Sequence, residues 1–103
     1  MRLGLVITDN MYAAAARSLL EAAQLRNWEC RCFLTDRGVL LLTEPKFMQS
    51  PGVVAGIVAV CELSIERYED YGLHVKQIDA QVIVGGQYQN AELVKNSDRV
   101  VVI

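Results

Sequence analysis

The chain carries no surplus of one charge. Ten Lys and Arg stand against twelve Asp and Glu, a net charge of −2. The basic residues are scattered, which argues against a DNA or acidic-membrane surface. No apolar run approaches the roughly 20 residues that span a bilayer, so no membrane anchor is expected. There is a single histidine, His74, and no second Cys/His pair at zinc-ligand spacing. Neither G-x-G-x-x-G nor G-x-x-x-x-G-K-[ST] occurs. Prolines (two) and glycines (seven) are sparse and 52% of residues are hydrophobic, which excludes disordered and collagen-like chains. Cysteines number three, an odd count without framework spacing that points to a reducing compartment. The N-terminus runs from Met1-Arg2 straight into a strand-like run, unlike a signal peptide, so the expected setting is the cytoplasm.

What is present suits one small domain. A chain of 103 residues hides roughly two-thirds of its unfolded surface, enough for one core. Residues 1–103 are therefore expected to form one α/β domain. Arg2–Thr8 (RLGLVIT) predicts a buried strand. Met11–Arg26 predicts the longest helix, with Asp9 or Asn10 as its cap and Tyr12, Ala15, Ala16, Leu19, Ala22 and Ala23 in one stripe. Glu29–Thr35 predicts a second strand, with Cys30, Cys32 and Leu34 on one face and Glu29, Arg31 and Phe33 on the other. Asp36-Arg37-Gly38 reads as a turn. Val39–Pro51 fits either a short helix or an irregular connection near the mouth of a site.

Val53–Val60 predicts a strand buried on both faces. Glu62–Tyr71 predicts a helix ended by Gly72. Leu73–Asp79 reads as ambiguous, Gln81–Val84 as a fourth strand, Gly85-Gly86 as a tight turn, Gln87–Lys95 as a short helix and Arg99–Ile103 as a last buried strand. Alternating strands and crossovers predict a three-layer α/β/α sandwich around a five-stranded, mainly parallel sheet.

Cys61 stands where a core strand stops and a helix starts, at the carboxyl end of the sheet where open α/β domains place their chemistry. Free N–H groups there favour a thiolate. Arg37 would add a cation if its turn lies nearby, whereas Glu62 and Glu66 oppose a negative sulfur. The competing explanation is packing: Cys61, Ile65 and Tyr68 share one helical stripe, as buried free cysteines often do. Cys30 and Cys32 fit core packing better than metal or redox chemistry. His74 reads as a solvated loop residue. Gly85-Gly86 could offer backbone N–H groups to an anion, but a plain turn is the simpler role. The loop Thr8–Tyr12 stands where a flavodoxin-type phosphate loop would be, yet Asp9 repels phosphate and the hydroxyl run is missing.

Taken together, the opening MRLGLVIT with a Tyr- and Ala-rich helix, FLTDRGV, the apolar strand ending at Cys61, and the Gly-Gly, Ala91-Glu92 and Ser97–Val101 tail resemble the DsrE/DsrF-like sulfur-relay family, nearest its TusD/DsrE branch. The resemblance implies a small α/β domain that assembles into trimers or hexamers, alone or with related subunits. It implies a persulfide carried on Cys61, exchanged with donor and acceptor proteins and needing no metal or organic cofactor. The family also contains subunits that serve as scaffolds. The alternative expectation is thus a non-catalytic assembly subunit, with the apolar connection holding Leu40, Leu41, Leu42, Phe47 and Met48 exposed against its sisters.

Overall fold

The apolar, β-branched segments pair into one sheet and the segments between them cover it. A computed structural model describes residues 1–74, 78 and 81–103. The strands are β1 (Arg2–Ile7), β2 (Glu29–Leu34), β3 (Val58–Cys61), β4 (Ile83–Gly85) and β5 (Arg99–Val102). They lie in the order β4-β3-β2-β1-β5, and every neighbouring pair is parallel. The expected α/β architecture is thus present. Part of the ambiguous stretch, residues 75–77 and 79, lies outside the described residues.

The first helix is α1 (Ala13–Leu25), preceded by a 3-10 turn at Asn10–Tyr12 that Asp9 caps by accepting from the Met11 N–H. Asn27 ends it in the left-handed region at φ 56, and the Trp28 N–H returns to the Ala23 carbonyl at 2.9 Å. This satisfies a carbonyl of the last turn with asparagine in place of the usual glycine. The buried residues of α1 are Ala16, Leu20 and Ala23. Tyr12 and Ala15, expected in the stripe, are exposed. Leu20 draws the helix round, because it packs against Gly52, where even a methyl would sit 3.1 Å from it.

Two further expectations are corrected. Val39–Pro51 is not an exposed connection. A 3-10 segment (Asp36–Thr43) and helix α2 (Pro45–Met48) bury Val39, Leu40, Leu41, Leu42 and Phe47 in the main core. The strand expected at Val53–Val60 starts only at Val58. Pro51 opens a short helix, α3 (Pro51–Val54), and Gly56 at φ 75 turns the chain into β3. Proline favours the first position of a helix, and that local preference outweighs the β-branched run. After β3 comes α4 (Glu62–Arg67), then a 3-10 turn (Glu69–Tyr71) closed by Gly72 in the left-handed region, as expected.

The last helix is α5 (Gln87–Asn96). Its only buried residue, Leu93, packs on the opposite face of the sheet with Val6, Phe33, Ala59 and Cys61. Among the described residues, one sheet face is thus covered by α1 to α4 and the other by α5 alone, an unequal α/β/α sandwich. β5 is an edge strand, and Val100 and Val102 are exposed rather than buried.

Candidate functional site

The topology sets the place of the site. The chain leaving β3 enters α4 on the thickly covered face, whereas the chain leaving the adjacent β4 enters α5 on the other. Neighbouring strands whose connections diverge leave a crevice at their carboxyl ends, the usual ligand position in open parallel sheets. Cys61, the last residue of β3, pairs in register with Gly85, the last of β4. The expected cysteine therefore stands at that divergence.

A cleft of about 420 Å³ opens over these strand ends. Thr8 follows β1, and Thr35 and Asp36 follow β2. Cys61 ends β3, Leu63, Ser64 and Arg67 come from α4, and Gly86 and Gln87 lead into α5. Cys61 exposes only 4% of its surface, because the Gln87 amide stands over the sulfur. Gln87 Nε2 lies 3.8 Å from Sγ and 3.5 Å from Thr35 Oγ1, while Asn90 Nδ2 holds Gln87 Oε1 at 3.1 Å.

These groups decide the charge of the sulfur. Desolvation pushes the Cys61 thiol up, but the Ser64 hydroxyl and N–H, the Gln87 amide and the Leu63 N–H all favour the thiolate, and the net displacement is downward. Ser64 Oγ accepts the Asp36 N–H at 2.9 Å, which leaves its own proton free to donate to sulfur. That bond depends on Asp36 holding φ 51, a left-handed conformation that Asp tolerates better than most residues. Asp36 also accepts from Arg67 Nη1 at 3.2 Å and from the Tyr68 hydroxyl at 3.3 Å. Arg67 thus brings a cation to the cleft, already matched by the Asp36 carboxylate.

The other thiols differ. Burial raises Cys30, and burial together with the neighbouring Cys30 raises Cys32 strongly. Both belong to the main core on the far face of the sheet from Cys61. All three cysteines are free. Among the described residues no group of three His, Cys, Asp or Glu could hold a metal ion.

Arg37 is exposed and does not line the cleft; Arg67 is the cation that does. His74 is exposed and lines none of the described clefts. Gly86 lines the cleft, but its N–H donates to Gln89 Oε1 at 2.8 Å and is not free for an anion. Gly85 matters by lacking a side chain, since a Cβ there would strike the Gln89 amide. Sequence reasoning missed Ser64 and Gln87. The Cys-x-x-Ser spacing, which puts a hydroxyl in the first helical turn after the cysteine, was a usable signal for Ser64. Gln87 gave none, because its nearness to Cys61 depends on the pairing of β3 with β4.

A second cleft, about 380 Å³, lies beside α5 over the thinly covered sheet face. Its floor is apolar (Phe33, Ala59, Ile83, Leu93), and Cys32, which belongs to the main core, also borders it. Among the described residues no helix is long and apolar enough to cross a membrane. No family model, curated protein or solved structure matches the chain.

Proposed function

We propose that the protein is a sulfur-relay subunit of the DsrE/DsrF-like kind, carrying sulfane sulfur as a persulfide on Cys61 in a reducing compartment such as the cytoplasm. The observation that carries this reading is the contrast among three free thiols. All three are buried, but Cys61 alone stands in the cleft over the strand ends and is shifted toward thiolate, while Cys30 and Cys32 lie in the main core and are shifted the other way. The Cys61 thiolate attacks the terminal sulfur of a donor persulfide, forming a new S–S bond as the donor leaves as a thiolate. An acceptor thiolate then attacks that terminal sulfur and releases Cys61 as a thiolate. Sulfur moves without net oxidation, so neither metal nor organic cofactor takes part. Cys30 and Cys32 lie across the sheet from Cys61, so the acceptor thiol must come from another molecule.

The competing reading is a non-catalytic subunit, favoured by the 4% exposure of Cys61 and its place in a small core with Phe33, Ala59 and Leu93. The buried Leu40–Leu42 run removes the surface first expected to serve such a subunit. Treatment with a persulfide donor followed by intact-mass spectrometry separates the two. Relay predicts one added sulfur atom, mapped to Cys61 and absent from Cys61→Ala. An unmodified protein, or sulfur found only on Cys30 or Cys32, overturns it.

A further inference from the structure

We propose that Gln87 is a gate over Cys61, whose side chain swings into water before a sulfur donor reaches the cysteine. The gate rests on Cys61 being a working nucleophile, as the relay reading requires. Cys61 stands in the wall of a cleft of about 420 Å³, yet it is only 4% exposed. Away from the cleft it packs with Val6, Phe33, Ala59 and Leu93. On the cleft side the Gln87 amide covers its sulfur.

The sheet order accounts for the cover. β3 lies between β2 and β4. Thr35 follows the last residue of β2, and Gln87 stands just beyond β4, at the start of α5. A bond from Gln87 to Thr35 therefore crosses the carboxyl end of β3, where Cys61 stands. The amide is held at both ends. Its nitrogen reaches Thr35 Oγ1 at 3.5 Å and Cys61 Sγ at 3.8 Å, while its oxygen accepts from Asn90 Nδ2 at 3.1 Å. Gln87 and Asn90 have the i, i+3 spacing at which helix side chains meet. Asn90 Oδ1 is buried and has no partner among the described residues. Such an oxygen costs stability, and the side-chain bond that Asn90 does make is the one that holds Gln87.

The same contacts permit release. The bond to Thr35 is long at 3.5 Å, beside the usual ~2.9–3.0 Å. Gln87 is exposed, so water takes over the hydrogen bonds that its amide gives up. Exposed side chains change rotamer within nanoseconds, far faster than a thiolate is alkylated. Opening is therefore a pre-equilibrium, and Cys61 reacts in proportion to the open fraction. The closed amide supports the thiolate and hides it at once.

Alkylation of the folded chain by iodoacetamide across a pH series, mapped to Cys61 by mass spectrometry, separates these two effects. The midpoint reports the thiolate and the plateau rate at high pH reports access. In Gln87→Ala the midpoint is expected to rise, because a donor to the thiolate is lost. The plateau is expected to rise by about tenfold, the gain when a state open about 10% of the time becomes fully open. A more basic sulfur alone gives only about threefold per pKa unit. Asn90→Ala keeps Gln87 but frees its amide oxygen, and a smaller rise in plateau is expected. Circular dichroism checks both variants, and if one does not fold the other decides. Label on Cys61 in Gln87→Ala but not in the natural chain also supports the gate. A plateau gain no larger than the midpoint shift explains, with a persulfide donor still loading Cys61, overturns the gate alone. A Cys61 unlabelled in every folded chain overturns the gate and the relay reading together.

Discussion

Ser64 carries more of the site than its size suggests. It is 4% exposed, and it ties the turn after β2 to the first turn of α4 while facing the sulfur. Ser64→Ala removes the acceptor for the Asp36 N–H and a donor to the thiolate together. The expected cost to stability is about 1 kcal/mol. The more specific effect is a higher apparent pKa for Cys61, read as slower alkylation at neutral pH. Ser64→Thr, which keeps the hydroxyl, should restore the rate if it packs, and an unchanged alkylation profile in Ser64→Ala would remove Ser64 from the account. Two glycines make a companion test. A Cβ at Gly38 would collide with the Ile7 backbone carbonyl, whereas one at Gly86 meets open space at φ −138. Gly38→Ala should cost about 1–3 kcal/mol by overpacking, and Gly86→Ala within about 0.5 kcal/mol. Urea titration of both variants measures the difference. The Arg67–Asp36 ion pair is over half exposed on each side and adds little on its own.

At the scale of elements, the covering of β1 and β2 rests on α1 and on the 3-10 segment that follows β2. Leu20 and Leu41 are almost completely buried, so Leu20→Ala and Leu41→Ala should each cost about 2–5 kcal/mol in thermal or denaturant unfolding. A loss below 1 kcal/mol for Leu41→Ala, on the order expected of a surface position, would mean that the apolar connection faces outward after all. These elements also mark where the sequence was legible. β1 and β2 could be read almost to the residue, because period-two burial sorts Cys30, Cys32 and Leu34 from Glu29 and Arg31 without tertiary information. The stop at Gly72 followed from a left-handed residue placed where helical structure must end, although the helix expected over Glu62–Tyr71 gives way after Arg67 to a 3-10 turn. The rotation of α1 was not readable. A stripe of alanines gives nearly equal apolarity to two faces, and a leucine meeting Gly52 across the fold chooses between them. Nor was the split of Val53–Val60, where a proline at the first helical position competes with β-branched side chains and wins over one turn.

At the scale of the molecule, the sheet order places the cysteine where two connections part, and the unequal layers leave that end open. Only the strand-to-helix junction at Cys61 was legible beforehand; its neighbours Gln87 and Asp36 arrive through the pairing of distant strands. The thiols also give the fold a pH signature. Cys30 and Cys32 titrate higher in the folded chain than in the unfolded one. Their contribution is fully present below the unfolded value and is lost as pH rises above about 8.5. There the unfolded chain sheds protons that the folded chain keeps, so stability falls, by at most about 1.4 kcal/mol per pH unit per thiol. Cys61 acts in the opposite sense, since its folded value is depressed; its contribution is present above the unfolded value and lost as pH falls through the folded one. Denaturant midpoints between about pH 8.5 and 10 should therefore decline, and replacing Cys32 with Val should flatten the decline. A midpoint that rises with pH above about 8.5 would contradict the burial assigned to the two core thiols.

Of the three sulfurs, that of Cys61 alone is shifted toward the thiolate, and it stands in the cleft over the strand ends. Alkylating the folded protein with iodoacetamide across a pH series, and mapping the label by mass spectrometry, tests it most directly. Label is expected on Cys61 alone, with a midpoint below that of the same cysteine in the unfolded chain. A Cys61 that stays unlabelled until the protein unfolds, or that reacts no earlier in pH than Cys30 and Cys32, would contradict it.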